Sequence, residues 1–298
     1  MNKVLSANAL FAILFCLLFA RRQYGQAVEA NPKLHLEQVV ADTASVNAVA
    51  VEIIGPTEIV LWDAQFHVAD ATRLADQVAA TGKRLKAIVI SHPDFDHYIG
   101  AGTLLERFPG TPVYMTAAAL DEFNQTANDI YRSGKMRYPQ QFPATLVTPR
   151  LLPSTLMTVD GEKIEVIPDL QGDVLRKSNS VLWIPSLRAV LASDVVFNGV
   201  HPWLGASSET SRLAWRESCE RIRALHPAII VAGHKRDIRA VDSPDLLDFM
   251  ERYLSDFDRA RAQFSDAPAL ETAMNQKYPD LALPRLLQSG SKAAFAPK

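Results

Sequence analysis

Leu85-Lys86-Ala87-Ile88-Val89-Ile90 is a nearly unbroken apolar run, and it stops at Ser91-His92-Pro93-Asp94-Phe95-Asp96-His97. A strand that is apolar on successive residues has both faces out of water, so it needs a layer of structure on each side. That excludes a small open sheet and asks for strands covered by helices or by a second sheet. The polar loop then hangs from the end of a fully packed strand, a rigid base for a site.

The rest of the chain supplies those layers. Leu34 to Val40, Val46 to Ile54 and Thr57 to Trp62 read as strands, with Gly55-Pro56 as a turn and Asp63 directly after the third. His67 to Ala80 has helical apolar spacing, and further helices are expected at Tyr98 to Phe108 and Ala117 to Tyr131. Thr111 to Met115 is a strand between them. A second group of strands follows at Thr155 to Val159, Lys163 to Ile167, Val181 to Ile184 and Arg188 to Ala192, with an Asp160-Gly161 hairpin turn. Ser211 to Leu225 is an amphipathic helix, Ala228 to Ala232 a buried strand and Pro244 to Phe264 a long helix. Short helical pieces around Leu270 and Leu283 close the chain. Two strand groups of this kind bury each other when two sheets pack face to face with helices outside. No repeat or linker divides residues 31–298, so they are expected to form a single domain with a C-terminal helical extension.

His92, Asp94, Asp96 and His97 place four metal-capable side chains within six residues. Imidazole and carboxylate suit zinc, iron and manganese. Helix capping by Asp94 or Asp96 is the plain alternative, but it accounts for one carboxylate and not for two histidines besides.

Ser-His-Pro-Asp-Phe-Asp-His-Tyr-Ile-Gly, residues 91–100, resembles the signature of the metallo-β-lactamase superfamily, whose usual form is His-x-His-x-Asp-His-x-x-Gly after a buried strand. The resemblance implies a four-layer αββα sandwich with one or two metals at the sheet ends. Position by position, it implies that His92 and Asp94 are ligands of a first metal, and Asp96 and His97 of a second. Asp194, in Leu-Ala-Ser-Asp, resembles the bridging aspartate, and His234, in Val-Ala-Gly-His, the last histidine. Asp94 stands where the family has histidine, and no histidine occurs from residue 98 to 200. Asp173 in Gln-Gly-Asp takes the family's remaining histidine position, with Asp169 a weaker candidate and a plain turn the alternative reading. A first site of one imidazole and several carboxylates favours iron or manganese relative to a three-histidine zinc site. One or two divalent ions are expected, zinc first, with iron or manganese as alternatives.

Three residues are expected to line the mouth as substrate contacts: His201 and Trp203 after Asp194, and Lys235 after His234. A surface loop histidine and a solvated basic pair, Lys235 with Arg236, are the competing readings. The resemblance implies a hydrolase in which Asp96 holds both metal and attacking water, acting on a small-molecule ester, lactone, amide or phosphoester. A metal-dependent oxidase or dioxygenase, and a non-catalytic binding protein of the same fold, stay open.

The formal net charge of −2 gives no electrostatic footprint for nucleic acid. Lys3 and the apolar Ala9 to Ala20 read as a signal peptide over about residues 1–27, implying an exported, periplasmic or secreted protein without stable membrane association. The run is short for a membrane span of about 20 residues. Arg21 and Arg22 keep an uncleaved anchor as the alternative. The oligomeric state is not legible.

Overall fold

In the computed structural model residues 33–296 are described. The expected signal segment lies outside them. The strand groups pair as the apolar runs demand. In the first sheet β1 (His35–Val40), β2 (Val49–Ile54) and β3 (Glu58–Trp62) are antiparallel, and β3 continues in parallel with β4 (Arg84–Val89), β5 (Val113–Met115) and the two-residue β6 (Arg150–Leu151). The second sheet runs β11 (Ile229–Lys235), β10 (Ala189–Asn198), β9 (Asn179–Ile184), β8 (Glu162–Leu170), β7 (Leu156–Val159), with only β10 and β11 parallel.

Three apolar clusters give the layers. Val51, Ile53, Val60 and Trp62 of the first sheet meet Ile164, Leu182 and Leu191 of the second, so the sheets face each other. Ile54, Leu61 and Ile88 point outward onto Leu74 and Val78 of α1 (Val68–Ala80), onto Leu104 of α3 (Ala101–Arg107) and onto Phe123 of α4 (Ala117–Arg137). Val190, Val196 and Ile230 point the other way onto Trp215 of α5 (Glu209–Arg223) and onto Met250 and Phe257 of α6 (Asp245–Gln263). Leu270 and Leu287, from α7 (Ala267–Lys277) and α8 (Pro284–Ala294), join this last cluster. The order is helix, sheet, sheet, helix, the expected αββα sandwich. No helix among the described residues is long and apolar enough to cross a membrane.

Several boundaries moved for physical reasons. The helix expected from Tyr98 starts at Phe95 as a single turn, α2 (Phe95–Tyr98), and restarts at Ala101. Gly100 sits at the junction, where a Cβ would stand 2.2 Å from the Ala64 carbonyl oxygen. Helix α4 passes Gly134 and runs to Arg137, and the ring of Phe142 fills the space a side chain at 134 would take. Strand β10 does not stop at Ala192. It continues to Asn198 through a bulge at Ser193, whose φ is 44°. Such a bulge bends a strand and re-aims the following side chain, here Asp194.

One residue of the first sheet is out of place. Glu52 on β2 is fully buried, and neither of its carboxyl oxygens has a hydrogen-bond partner. Burial, helped by the charge of Glu37 opposite it, raises its pKa from 4.5 to about 7. A carboxyl whose folded pKa lies above its unfolded value weakens the fold as pH rises through that interval. Below pH 4.5 the term vanishes; above pH 7 it reaches about 3 kcal/mol at 1.36 kcal/mol per pKa unit. Glu52→Gln removes it. Urea unfolding of both proteins in the presence of chelator should give similar stabilities at pH 4 and a more stable variant at pH 8. Equal differences at both pH values would show that Glu52 is not the source.

Candidate metal centre

The strand β4 delivers its polar loop to the seam between the sheets. The Ser91 carbonyl accepts from the amide (3.0 Å) and hydroxyl (2.6 Å) of Ser180 at the head of β9. Asp63, which follows β3 at a φ of 65°, accepts from the Ser91 amide (2.8 Å) and hydroxyl (2.9 Å). A left-handed aspartate is costly backbone, and it is retained where its surroundings over-determine it. Asp94 occupies the position before α2 yet makes no capping hydrogen bond, so capping does not explain it.

Three imidazoles present the same edge to one corner. His97 has Nδ1 2.9 Å from Asp63 Oδ2, His234 has Nδ1 2.7 Å from the Val46 carbonyl oxygen, and His92 has Nδ1 2.9 Å from Ser91 Oγ. A carbonyl can only accept, so His234 carries its proton on Nδ1 and leaves Nε2 free. Ser91 Oγ already donates to Asp63, so it accepts from His92, with the same result. Such outer hydrogen bonds fix the tautomer and orientation of metal-binding histidines.

The Nε2 atoms face carboxylates. His92 Nε2 lies 4.0 Å from Asp94 Oδ2, 3.9 Å from Asp173 Oδ1 and 3.8 Å from Asp194 Oδ2. His97 Nε2 lies 3.2 Å from Asp194 Oδ1 and 3.7 Å from Asp96 Oδ2. His234 Nε2 is 2.9 Å from Asp194 Oδ2 and 3.5 Å from Asp96 Oδ2. Asp194 therefore reaches all three rings. Gly233 makes room for it, since a Cβ there would stand 2.0 Å from Asp194 Oδ1.

The residues fit divalent cations. His92 Nε2, His97 Nε2, Asp173 Oδ1 and Asp194 Oδ1 are buried without a hydrogen-bond partner, a costly condition unless another partner satisfies them. Their grouping is His92 with Asp94 and Asp173, His92 with His97 and Asp194, and Asp96 with His97 and His234, ligand atoms in each group lying within 4.8 Å of one another. Ligands about 2.1 Å from a tetrahedral ion stand roughly 3.4 Å apart, close to the spacings found.

Electrostatics agree with geometry. Burial, then the charges of Asp96 and Asp194, pushes Asp94 up to about 8. Burial and the charges of Asp194 and Asp94 also hold Asp173 well above the carboxylate range. Burial opposes ionisation of Asp194, but the imidazoles of His234, His97 and His92 outweigh it and hold its pKa far down. His97 is opposed by burial too, and Asp194, Asp63 and Asp96 together drive its pKa well up. The corner is rich in negative charge and favours a cation.

The profile of the metallo-beta-lactamase superfamily matches residues 41–234, well over half of the chain. The chain belongs to the metallo-β-lactamase superfamily. Solved metallo-β-lactamase folds agree. A metallo-β-lactamase family protein from Thermus thermophilus is 17% identical at a TM-score of 0.63, over 89% of this chain and 92% of its own. A metallo-β-lactamase from Pontibacter korlensis is 16% identical at 0.56, over 74% and 94%. At these identities the likeness is one of fold. No curated protein matches the chain in sequence.

Within this metallo-β-lactamase fold, His92, Asp94, Asp96, His97, Asp173, Asp194 and His234 all reach the corner, and Asp169 does not. Its backbone carbonyl instead accepts from Arg221. Trp203 lines the cavity over the site. Two expectations are corrected. His201 is buried, its Nδ1 2.8 Å from the Tyr253 hydroxyl, and burial lowers its pKa to about 4. Its amide donates to Ala282, which draws the loop inward, under α6. Lys235 is fully buried, with Nζ 2.9 Å from both Gln38 Oε1 and Asp242 Oδ1, so neither a substrate contact nor a solvated pair describes it. Val46, Phe95 and Leu286 also line the cavity. Phe95, an apolar residue between Asp94 and Asp96, was visible in the sequence; Val46 and Leu286 carry no local signal.

Asp63→Asn tests the support of His97. An amide must turn its NH2 either toward the ring's Nδ1 or toward the Ser91 amide, and one of those hydrogen bonds is lost. Metal affinity measured by chelator competition should fall about 10- to 100-fold, the usual cost of losing such a partner. Unchanged affinity would mean that His97 holds its orientation without Asp63.

Proposed function

We propose that this chain is an exported metal-dependent hydrolase of a small-molecule ester, lactone, amide or phosphoester, built on two divalent ions. The observation that carries the reading is the convergence of three overlapping groups of imidazole and carboxylate atoms, within 4.8 Å of one another in each group, with His92 Nε2, His97 Nε2, Asp173 Oδ1 and Asp194 Oδ1 buried and unpartnered. His92, Asp94 and Asp173 would hold one ion, and Asp96, His97 and His234 the other, with Asp194 between them. A divalent cation there supplies Lewis acidity, acidifying a water and polarising the scissile bond.

The chain's own side chains do the rest. Asp96, beside His234 and His97 at the cavity wall, accepts a hydrogen bond from the attacking water and aims it. Asp63, Ser91 and the Val46 carbonyl hold the rings in one tautomer, so the site needs little reorganisation during reaction. The walls of Val46, Phe95, Trp203 and Leu286 keep bulk water from the reacting bond. Among the described residues no serine, threonine, cysteine or lysine is in the cavity wall, and its carboxylates and imidazole are the groups that would hold the ions, so hydrolysis by water is the simplest chemistry that the groups support. Convergence of Asp94 and Asp173 on His92 speaks for ligand replacement rather than decay of the first site. We assign zinc to the two-imidazole position, with iron or manganese competing at the carboxylate-rich one. Export rests on Lys3 and the apolar segment at Ala9 to Ala20.

Elemental analysis of the purified protein beside an Asp96→Ala/His97→Ala variant tests this. About two equivalents of metal, reduced in the variant, together with metal-dependent ester or phosphodiester turnover, is the expected result. No metal after reconstitution would overturn the reading.

A further inference from the structure

We propose that the site selects uncharged substrates carrying an apolar acyl group, and discriminates against anionic ones; the proposal rests on the hydrolase reading above. The cavity is small, about 170 Å³, below the roughly 300–1,000 Å³ of pockets that enclose a whole drug-sized ligand. It holds a reacting group and one substituent. Its walls divide into the four carboxylates and the His234 imidazole of the metal corner and four apolar side chains, Val46, Phe95, Trp203 and Leu286.

Among the described residues no lysine or arginine lines this cavity. Three nearby cations are already engaged. Arg285, beside Leu286, donates to the Thr43 carbonyl. Lys235 is neutralised by Asp242 in the interior. Arg236 donates to the carbonyls of Gly199 and Asp280. Arg176 and Lys177 follow Asp173 but stand exposed outside the wall.

The charge count points the same way. Asp94, Asp96, Asp173 and Asp194 bring four negative charges when they ligate, and neutral imidazoles bring none. Two divalent ions bring the sum to zero, and one leaves it at minus two. Either way no net positive charge is left to attract an anionic substrate, as it would be with histidine at positions 94 and 173.

An uncharged ester meets no such barrier. Water adds to its carbonyl carbon, the acyl carbon–oxygen bond breaks, the alcohol leaves with one proton, and the acid product gives up the other to solvent. That product is a carboxylate, and no lysine or arginine of the cavity wall is there to hold it. Trp203 is the specificity residue for the acyl group: its indole Nε1 is fixed 3.2 Å from Ser289 Oγ, and Gly205 packs against its ring.

The test compares 4-nitrophenyl butyrate with 4-nitrophenyl hemisuccinate, which differ in a terminal carboxylate, on the metal-reconstituted full chain. In parallel, octanamide and octanoate are titrated by calorimetry into metal-loaded and metal-free protein. The expected results are kcat/KM at least about tenfold higher for the butyrate, and octanamide binding at least about tenfold tighter than octanoate in both forms, the scale of one unscreened charge contact. Phe95→Lys, at a position already 38% exposed, should narrow both ratios by adding a cation to the wall. Trp203→Ala should weaken octanamide without changing metal content. Comparable turnover of both esters with octanoate binding as well as octanamide would overturn the proposal while leaving the hydrolase reading intact. Absence of metal and of turnover would overturn the hydrolase reading, and the metal-free titration would still decide the charge preference.

Discussion

Asp194 sits buried within reach of three imidazoles, and the rest of the corner is arranged around that contact. Its carboxylate is 2.9 Å from His234 and 3.2 Å from His97, with His92 at 3.8 Å. A buried carboxylate without compensating charge is expensive. Three more carboxyl groups nearby make the expense larger, as the upward pKa displacements of Asp94 and Asp173 record. Positive charge in the middle of the cluster relieves both problems at once, and this is why the corner reads as a metal centre.

The fold holds that unfavourable cluster by joining its two sheets there. Asp63 and Ser91 come from the first sheet and Ser193 from the second, and Ser91 Oγ lies 2.6 Å from Ser193 Oγ. An isolated bridge between Ala48 and His234 adds a backbone link across the same seam. The left-handed backbone at Asp63, Gln65 and Ser193 is concentrated around this knot. Strain of that kind, about 1–3 kcal/mol per residue, persists when surrounding structure outweighs it. The two packed layers of the sandwich supply that excess.

The last helices act on the site from a distance in sequence. Leu204 packs into the core cluster with Leu287, and Gly290 of α8 approaches Leu204 closely. Arg285 reaches across to Thr43, one turn before Val46. Val46 is thereby both a wall residue and, through its carbonyl, the orienting partner of His234. The C-terminal helices shape the mouth and steady His234 without adding a side chain to the candidate metal cluster.

His92, Asp94, Asp96 and His97 were legible in the sequence because covalent connection alone keeps four side chains within six residues together. The apolar runs on either side likewise determined that strands would need cover on both faces, hence the layered sandwich. Asp194, Asp173 and His234 could be named only through the family resemblance, since each is brought in by strand pairing over long separations. Tertiary structure decided the bulge at Ser193 that aims Asp194, because a bulge depends on register with a neighbouring strand and not on local propensity. It also decided that Lys235 and His201 turn inward. A lysine can be buried only where Asp242 and Gln38 meet it, and no local pattern around residue 235 encodes that meeting. The cavity wall follows the same rule: Val46 and Leu286 are ordinary apolar residues until two distant segments of the chain are folded against each other.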